Sequence, residues 1–438
     1  MLESFIEDIR FCNRYIKKSI TLKLSLYAIL IYVIFTITCF ILIPNIIPLE
    51  NILISHDFRI FYESTKLIII DPGQLYDPVV NDMSFRYLPI FSLLFIPYIL
   101  IPYELAFIAH TILMAFLHIC SFYLILILST KFFKISFNTK IKRDMLLISL
   151  MAPLQVVLLF IGQVTEIYIF IILLVVLLLE NEKNRRYEIK YANLIVGLLV
   201  GISMAYKPFA FLLIPILLKI SFSYRNKKFQ IEGKQIAITL IGFLIPFILN
   251  VLYFILYPNL ITGFIRENST SQFSDYPSTS ITRIIFVFFS AFSLSISEIM
   301  ILVISTPVLY IIILILFYLM PNNEKNYSMF FGMAMLIMLI TFTDSWFLNF
   351  LIWYMISLPG LLKLEEDLKN IISDKNKRKF KQTYKMIYRI SQYGTLFFGI
   401  GVVIGLTIFP IDPILPIFLL ILYILFFWRL LVFSNKNN

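Results

Sequence analysis

The sequence has little of what marks an ordinary soluble domain. Of its 438 residues only 14% are charged, against about 25% in soluble chains, and glycine occurs just 13 times. So few glycines exclude collagenous and glycine-linker classes, and 44 Phe with 25 Tyr exclude disorder. The three cysteines, Cys12, Cys39 and Cys120, lie far apart, so no disulfide framework, zinc site or redox pair is expected. Histidine is equally scarce. His110 and His118 stand eight residues apart in one apolar stretch, not at ligand spacing, so no metal is expected. There is no Asp-x-Asp, no glycine-rich phosphate cradle, no internal repeat and no inverted two-fold hydropathy pattern.

Apolar residues are what the chain has. They make up 60% of it, and the mean hydropathy is +0.89. A soluble fold of that composition would expose apolar surface and aggregate. The fold class expected is therefore an all-α polytopic membrane protein. An apolar helix needs about 20 residues to cross about 30 Å of hydrocarbon, and candidate spans lie near 22–44, 104–129, 145–161, 164–180, 191–207, 208–220, 236–257, 299–320, 329–343, 347–363, 393–409 and 414–431. A further apolar stretch, 88–101, is broken by Pro89 and Pro97 and closed by Pro102. No cleavable signal peptide is expected, because the first span is long and follows a charged segment.

The net charge of +11 fixes topology rather than pointing to nucleic acid. Arg10, Arg14, Lys17, Lys18 and Lys23 put the N-terminus in the cytoplasm. The connections 131–143, 181–190, 219–234 and 363–390 are basic as well. Stretch 88–101 is either a thirteenth span or a segment that dips in and returns. All the basic connections fall on one side if it does not cross, or if another break such as 284–298 compensates, giving about twelve spans in a single membrane domain. Two long connections then face outward. The first, 45–87, carries six acidic and three basic residues, and the second, 258–283, contains the sequon Asn268-Ser269-Thr270. Segment 363–390 reads as an amphipathic basic helix on an anionic membrane face.

Loop 45–87 holds the first candidate chemistry. Residues 57–69 can be drawn as an interfacial helix with Phe58, Phe61, Thr65 and Ile68 on one face. Asp57 at its start suits a helix cap and equally a general base held at the membrane surface, with His56 beside it. Polar groups near span ends are further candidates. Gly162-Gln163 precedes Glu166, Tyr206-Lys207-Pro208 joins two short spans, and Asp344 and Trp346 form another outer turn. Lys207 runs against positive-inside, so it is placed either to hold a phosphate or to snorkel to lipid headgroups. Arg266 and Asn268 lie in the second outer loop, where plain solvation accounts for them.

In order, Asp57-Phe58, Phe61-Tyr62, Leu75-Tyr76-Asp77-Pro78, Phe85-Arg86-Tyr87-Leu88-Pro89, Gly162-Gln163, and Gly197 and Gly201 leading to Lys207-Pro208 and Pro215 resemble glycosyltransferase family 87. These are the polyprenyl-phosphate-mannose-dependent α-mannosyltransferases of the GT-C superfamily. The resemblance covers roughly 22–230. One departure is Val164-Thr165 after the Gly-Gln pair, where family members often have Asn. The resemblance implies a GT-C-type helical bundle in the plasma membrane with its active site on the outer face. It implies a polyprenyl- or dolichyl-phosphate hexose donor and a glycan or glycolipid acceptor, with membrane lipids as surroundings and no cofactor. Asp57 would be the catalytic base, and Tyr62, Arg86, Tyr87, Gln163 and Lys207 would bind substrate. One base without a carboxylate nucleophile implies inversion at the anomeric carbon. The rival readings are a lipid or lipid-linked sugar flippase and a structural subunit. Transporters commonly carry inverted repeats and mid-membrane charges, whereas this chain gathers its polar groups in outer loops.

Overall fold

The computed structural model describes residues 2–45, 53–77, 85–223, 227–269, 280–292, 298–321, 325–342, 348–371 and 414–436, with a few single positions between 382 and 394. Five helices are long and apolar enough to cross a membrane. They are α2 (Ile20–Leu42), α6 (Tyr103–Ile127) with its π-helical last turn, the pair α7 (Lys140–Met151) and α8 (Pro153–Ile161), α12 (Gly233–Leu256), and α15 (Glu298–Leu319). Shorter apolar helices complete the bundle: α10 (Ala192–Tyr206), α14 (Ile281–Ala291), α16 (Tyr327–Thr341), α17 (Asn349–Ile371) and α18 (Ile414–Lys436). The expected span at 393–409 lies outside the described residues from 395 onward.

Two kinds of helix follow from where the apolar surface goes. Every residue of α16 is buried, as are most of α9 (Thr165–Asn184) and the first three turns of α17; helices apolar all round form the centre. By contrast α2, α12 and α15 expose Leu24, Ile31, Ile34, Ile245, Leu252, Val303 and Ile311, each more than 40% accessible. Apolar side chains exposed in such numbers are what hydrocarbon, not water, would cover.

The basic connections gather at one end. Asp8 of α1 (Leu2–Lys18) meets Arg186 and Lys131, Lys142 meets Glu366 at 3.0 Å, and Lys183 donates to the Lys325 carbonyl. Lys219 binds Glu182, Asn193 and Gln235 there as well. Stretch 88–101 is not one long helix. It forms α4 (Pro89–Leu93) and α5 (Ile96–Ile99), pinned at the opposite end by Leu88 N–H to the Ala205 carbonyl and by Tyr62 O–H to the Ile101 carbonyl.

One expectation needs correction. Segment 208–220 does not form an α-helical span: it runs from the Lys207 end to the Lys219 end as a 3-10 helix (Pro208–Leu213), a four-residue α11 (Ile214–Leu217) and then strand β1 (Ile220–Ser223). Pro208 and Pro215 remove donors and break regular winding. The freed carbonyls are met from outside the segment, Leu212 by Tyr310, Pro215 by Tyr318 and Ile220 by Lys325, as irregular backbone at membrane depth requires. The described residues are helical almost throughout, and the strands form one short hairpin. β1 pairs antiparallel with β2 (Lys228–Ile231), Ile220 opposite Ile231, in what the sequence suggested was only a basic loop.

Helices α10 and α12 touch backbone to backbone. A Cβ on Gly197 would sit 1.9 Å from the Thr239 carbonyl oxygen, and one on Gly242 2.2 Å from that of Leu194. Gly197 and Gly201 form the small-xxx-small spacing that permits such approach. Gly197→Ala is expected to cost about 1–3 kcal/mol by overpacking, read as a lowered melting temperature in detergent. Gly233→Ala, with nothing within 4 Å, is the control and should leave it unchanged.

Asp8 anchors α1. Burial works to raise its carboxyl, but hydrogen bonds from Arg186 and Tyr187 and the nearby Lys131 outweigh it, holding the group below its ordinary 3.8. A lowered folded value means the stabilisation is complete above that pH and is lost as pH falls through the folded value. Asp8→Asn should therefore cost about 1–3 kcal/mol at neutral pH. Thermal melts should show the gap to the parent closing in acid below about pH 3.8.

Candidate active site

The amphipathic helix expected over 57–69 is α3 (His56–Ile70), with Phe58, Phe61, Thr65 and Ile68 all buried. Its start is fastened to the end of α8. Ser55, in the left-handed region (φ 57°), donates its N–H to the Phe160 carbonyl, and Tyr103 donates to its hydroxyl at 2.9 Å. Gly162 then ends α8 with φ 72°, and a Cβ there would stand 2.5 Å from that of Phe58. Only glycine accepts both demands. The consequence is that Gln163 leaves α8 directly over the first turn of α3.

Gln163 Nε2 donates to Asp57 Oδ2 at 2.6 Å, while its Oε1 accepts from Val164 N–H at 3.0 Å. That second bond fixes the amide so that its NH2 faces the carboxylate. Asp57 Oδ1 lies 3.2 Å from His56 Nδ1. The cap position itself is Ser55, so Asp57 sits inside the first turn with its carboxylate turned to side chains and 23% exposed. It favours the positive helix start and remains reachable.

Tyr87 and Lys207 complete the cluster. Tyr76 O–H donates to the Tyr87 carbonyl at 2.5 Å, and the Tyr87 ring stacks on Phe91 at 4.5 Å. Burial first, and then the Asp57 carboxylate, push the Tyr87 phenol far above its ordinary range, against the Gln163 hydrogen bond and Arg86. The phenol stays a donor. Lys207, just past the last residue of α10, lies with Nζ 5.4 Å from the centre of the Tyr87 ring. Burial pulls its pKa down to about 8, with the Asp57 carboxylate opposing that pull and Arg86 adding to it. Among the described residues its ammonium has no ion-pair or hydrogen-bond partner.

Asp57, Gln163, Tyr87, Arg86 and Lys207 thus share one end of the bundle, opposite the basic connections. Tyr62 does not join them. Its hydroxyl donates to the Ile101 carbonyl at 3.1 Å and its ring packs edge-on against Tyr103. Arg266 binds the Tyr76 carbonyl and Asn268 the Phe264 carbonyl, so both serve α13 (Asn259–Ser269) and its seat. Asp344, Trp346 and Pro78 fall outside the described residues.

The supporting roles of several neighbours escaped the sequence reading. Asn250 of α12 accepts from Ile90 N–H at 3.0 Å and holds the turn carrying Arg86 and Tyr87. His110 meets the Gly162 carbonyl at 3.1 Å. Beneath them His118 Nδ1 lies 3.1 Å from Glu166 Oε1, both fully buried. A lone Asn or His in an apolar span signals such a role, but spacing alone does not name its partner.

A cationic group and an oriented carboxylate beside one another suit transfer to an acceptor hydroxyl from an anionic leaving group. No curated protein matches the chain. The family model described as glycosyltransferase family 87 matches residues 85–343, which includes Arg86, Tyr87, Gln163 and Lys207 and begins after Asp57 and Tyr62. That span is more than half of the molecule and agrees with a helical, membrane-type architecture: the chain belongs to glycosyltransferase family 87 and is a membrane enzyme that transfers glycosyl groups.

Proposed function

We propose that this enzyme moves a hexose, mannose by the family resemblance, from a polyprenyl- or dolichyl-phosphate donor to a glycan or glycolipid acceptor at the outer face of the plasma membrane. The observation that carries the reading is the 2.6 Å bond from Gln163 to Asp57 near the Lys207 ammonium, which is unpaired among the described residues. Asp57 takes the proton of the acceptor hydroxyl as its oxygen bonds to the anomeric carbon. The bond from that carbon to the donor phosphate oxygen breaks, and its electron pair stays on the phosphate. Lys207 and Arg86 hold the phosphate as it departs, and Tyr87 and Gln163 orient the sugar. Attack opposite the leaving group inverts the anomeric carbon. A lipid phosphate leaves readily, so the step needs neither metal nor nucleotide sugar.

Sidedness rests on charge. The site lies at the end away from Lys131, Lys142, Arg186 and Lys219, and positive residues face the cytoplasm. Membranes carrying the enzyme should incorporate label from polyprenyl-phosphate mannose and none from a nucleotide sugar. Incorporation from the nucleotide sugar alone would overturn the donor assignment. A cysteine placed at Asp71, exposed just past the end of α3, should react with an impermeant thiol reagent on whole cells, and protection there would reverse the orientation.

A further inference from the structure

At the end opposite Asp57, α1 and its neighbours enclose a cavity of about 620 Å³. Its wall carries five cations, Arg10, Arg14 and Lys17 from α1, Lys131 from the end of α6 and Arg186 from the turn after α9. Two carboxylates, Glu7 and Asp8, oppose them. Asp8 is already committed. It is 1% exposed and takes Arg186 through both oxygens, at 2.7 and 2.5 Å, with Lys131 at 3.7 Å. Lys131 is further fixed over the Phe11 ring at 3.6 Å. The floor is therefore a paired network of one carboxylate and two cations, with one positive charge left over. Arg10, Arg14 and Lys17 stand above it on one helical face with no ion-pair partner among the described residues.

We propose that this cavity binds a phosphate-bearing anionic headgroup of a membrane lipid. Phosphate chemistry follows from the guanidinium forks and ammonium converging on one space. The lipid source follows from what adjoins it. α1 packs its apolar face, with Cys12 and Ile16 buried, onto the bundle, and after Ser19 the chain enters α2. There Ile20 and Leu24 are 74% and 60% exposed, so lipid-facing surface begins where the cavity's basic face ends. A headgroup in the cavity leaves its tails against α2, which an amphipathic basic helix at the membrane surface favours.

The test uses the full-length protein in detergent with fluorescent phosphatidylglycerol as probe. Arg10→Gln, Arg14→Gln and Lys17→Gln together should raise the dissociation constant on the order of 100-fold, and Arg14→Gln alone about fivefold. A charge-matched control at the same end, Lys227→Gln, Lys228→Gln and Lys234→Gln, should change it little, and all variants should keep glycosyl transfer. Equal weakening in both triple variants, or equal binding of a phosphatidylcholine probe, would overturn the site. Displacement by inorganic phosphate as readily as by phospholipid would assign the ligand to soluble phosphate and overturn its lipid source.

Discussion

Asp57→Asn lowers transfer by about 10²–10⁴-fold in kcat, with KM for the lipid donor little changed. Asparagine keeps the volume and the oxygen that accepts from Gln163, whose amide orientation is locked by Val164. It removes only the capacity to take a proton. The same change weakens the favourable charge at the start of α3 by about 0.3–1 kcal/mol, too little to unfold the protein, so the melting temperature should move by a few degrees at most. Kinetics and melts together separate the two roles the sequence left open for this residue. Turnover equal to the parent with a large drop in melting temperature would leave Asp57 as a helix-start residue and move the base elsewhere.

The reason this pair is testable is that one half of it was legible from spacing and the other was not. Phe58, Phe61, Thr65 and Ile68 recur at helical intervals, so the buried face of α3 could be drawn from the chain alone, with Asp57 at its start. That Gln163 lies against it depends on a contact across 106 residues, set by Gly162 and the closeness of Phe58, which no local pattern encodes. Tyr62, which the resemblance placed among the substrate-binding residues, packs against Tyr103 instead. Charge placement was the stronger guide to the bundle. The basic connections assigned to one side gather at one end, and the proline-broken stretch after Leu88 stays at the other. What charge could not convey was the shape of 208–220. Its hydropathy is that of a span, and only the tyrosines of α15 at its carbonyls explain how an irregular segment is tolerated there.

Replacing Lys207 by glutamine should lower kcat by about 10²–10³-fold, the usual loss when one group stabilising developing charge is removed. Charge builds on the departing phosphate only as its bond to the sugar breaks, so the effect belongs to turnover more than to donor binding. Lys207→Arg tests the mechanism more sharply. It restores the charge, but a planar fork replaces a compact ammonium in a place bounded by the Tyr87 ring at 5.4 Å. Partial recovery of kcat is expected. If lysine instead only anchors α10 to headgroups, glutamine would leave kcat intact and arginine would behave as the parent, since snorkelling asks for a cation and not for its shape. Comparing both variants on donors that differ in leaving-group acidity separates the cases. A lysine acting on the departing phosphate makes the loss larger for the poorer leaving group, and an anchoring lysine makes it the same for both.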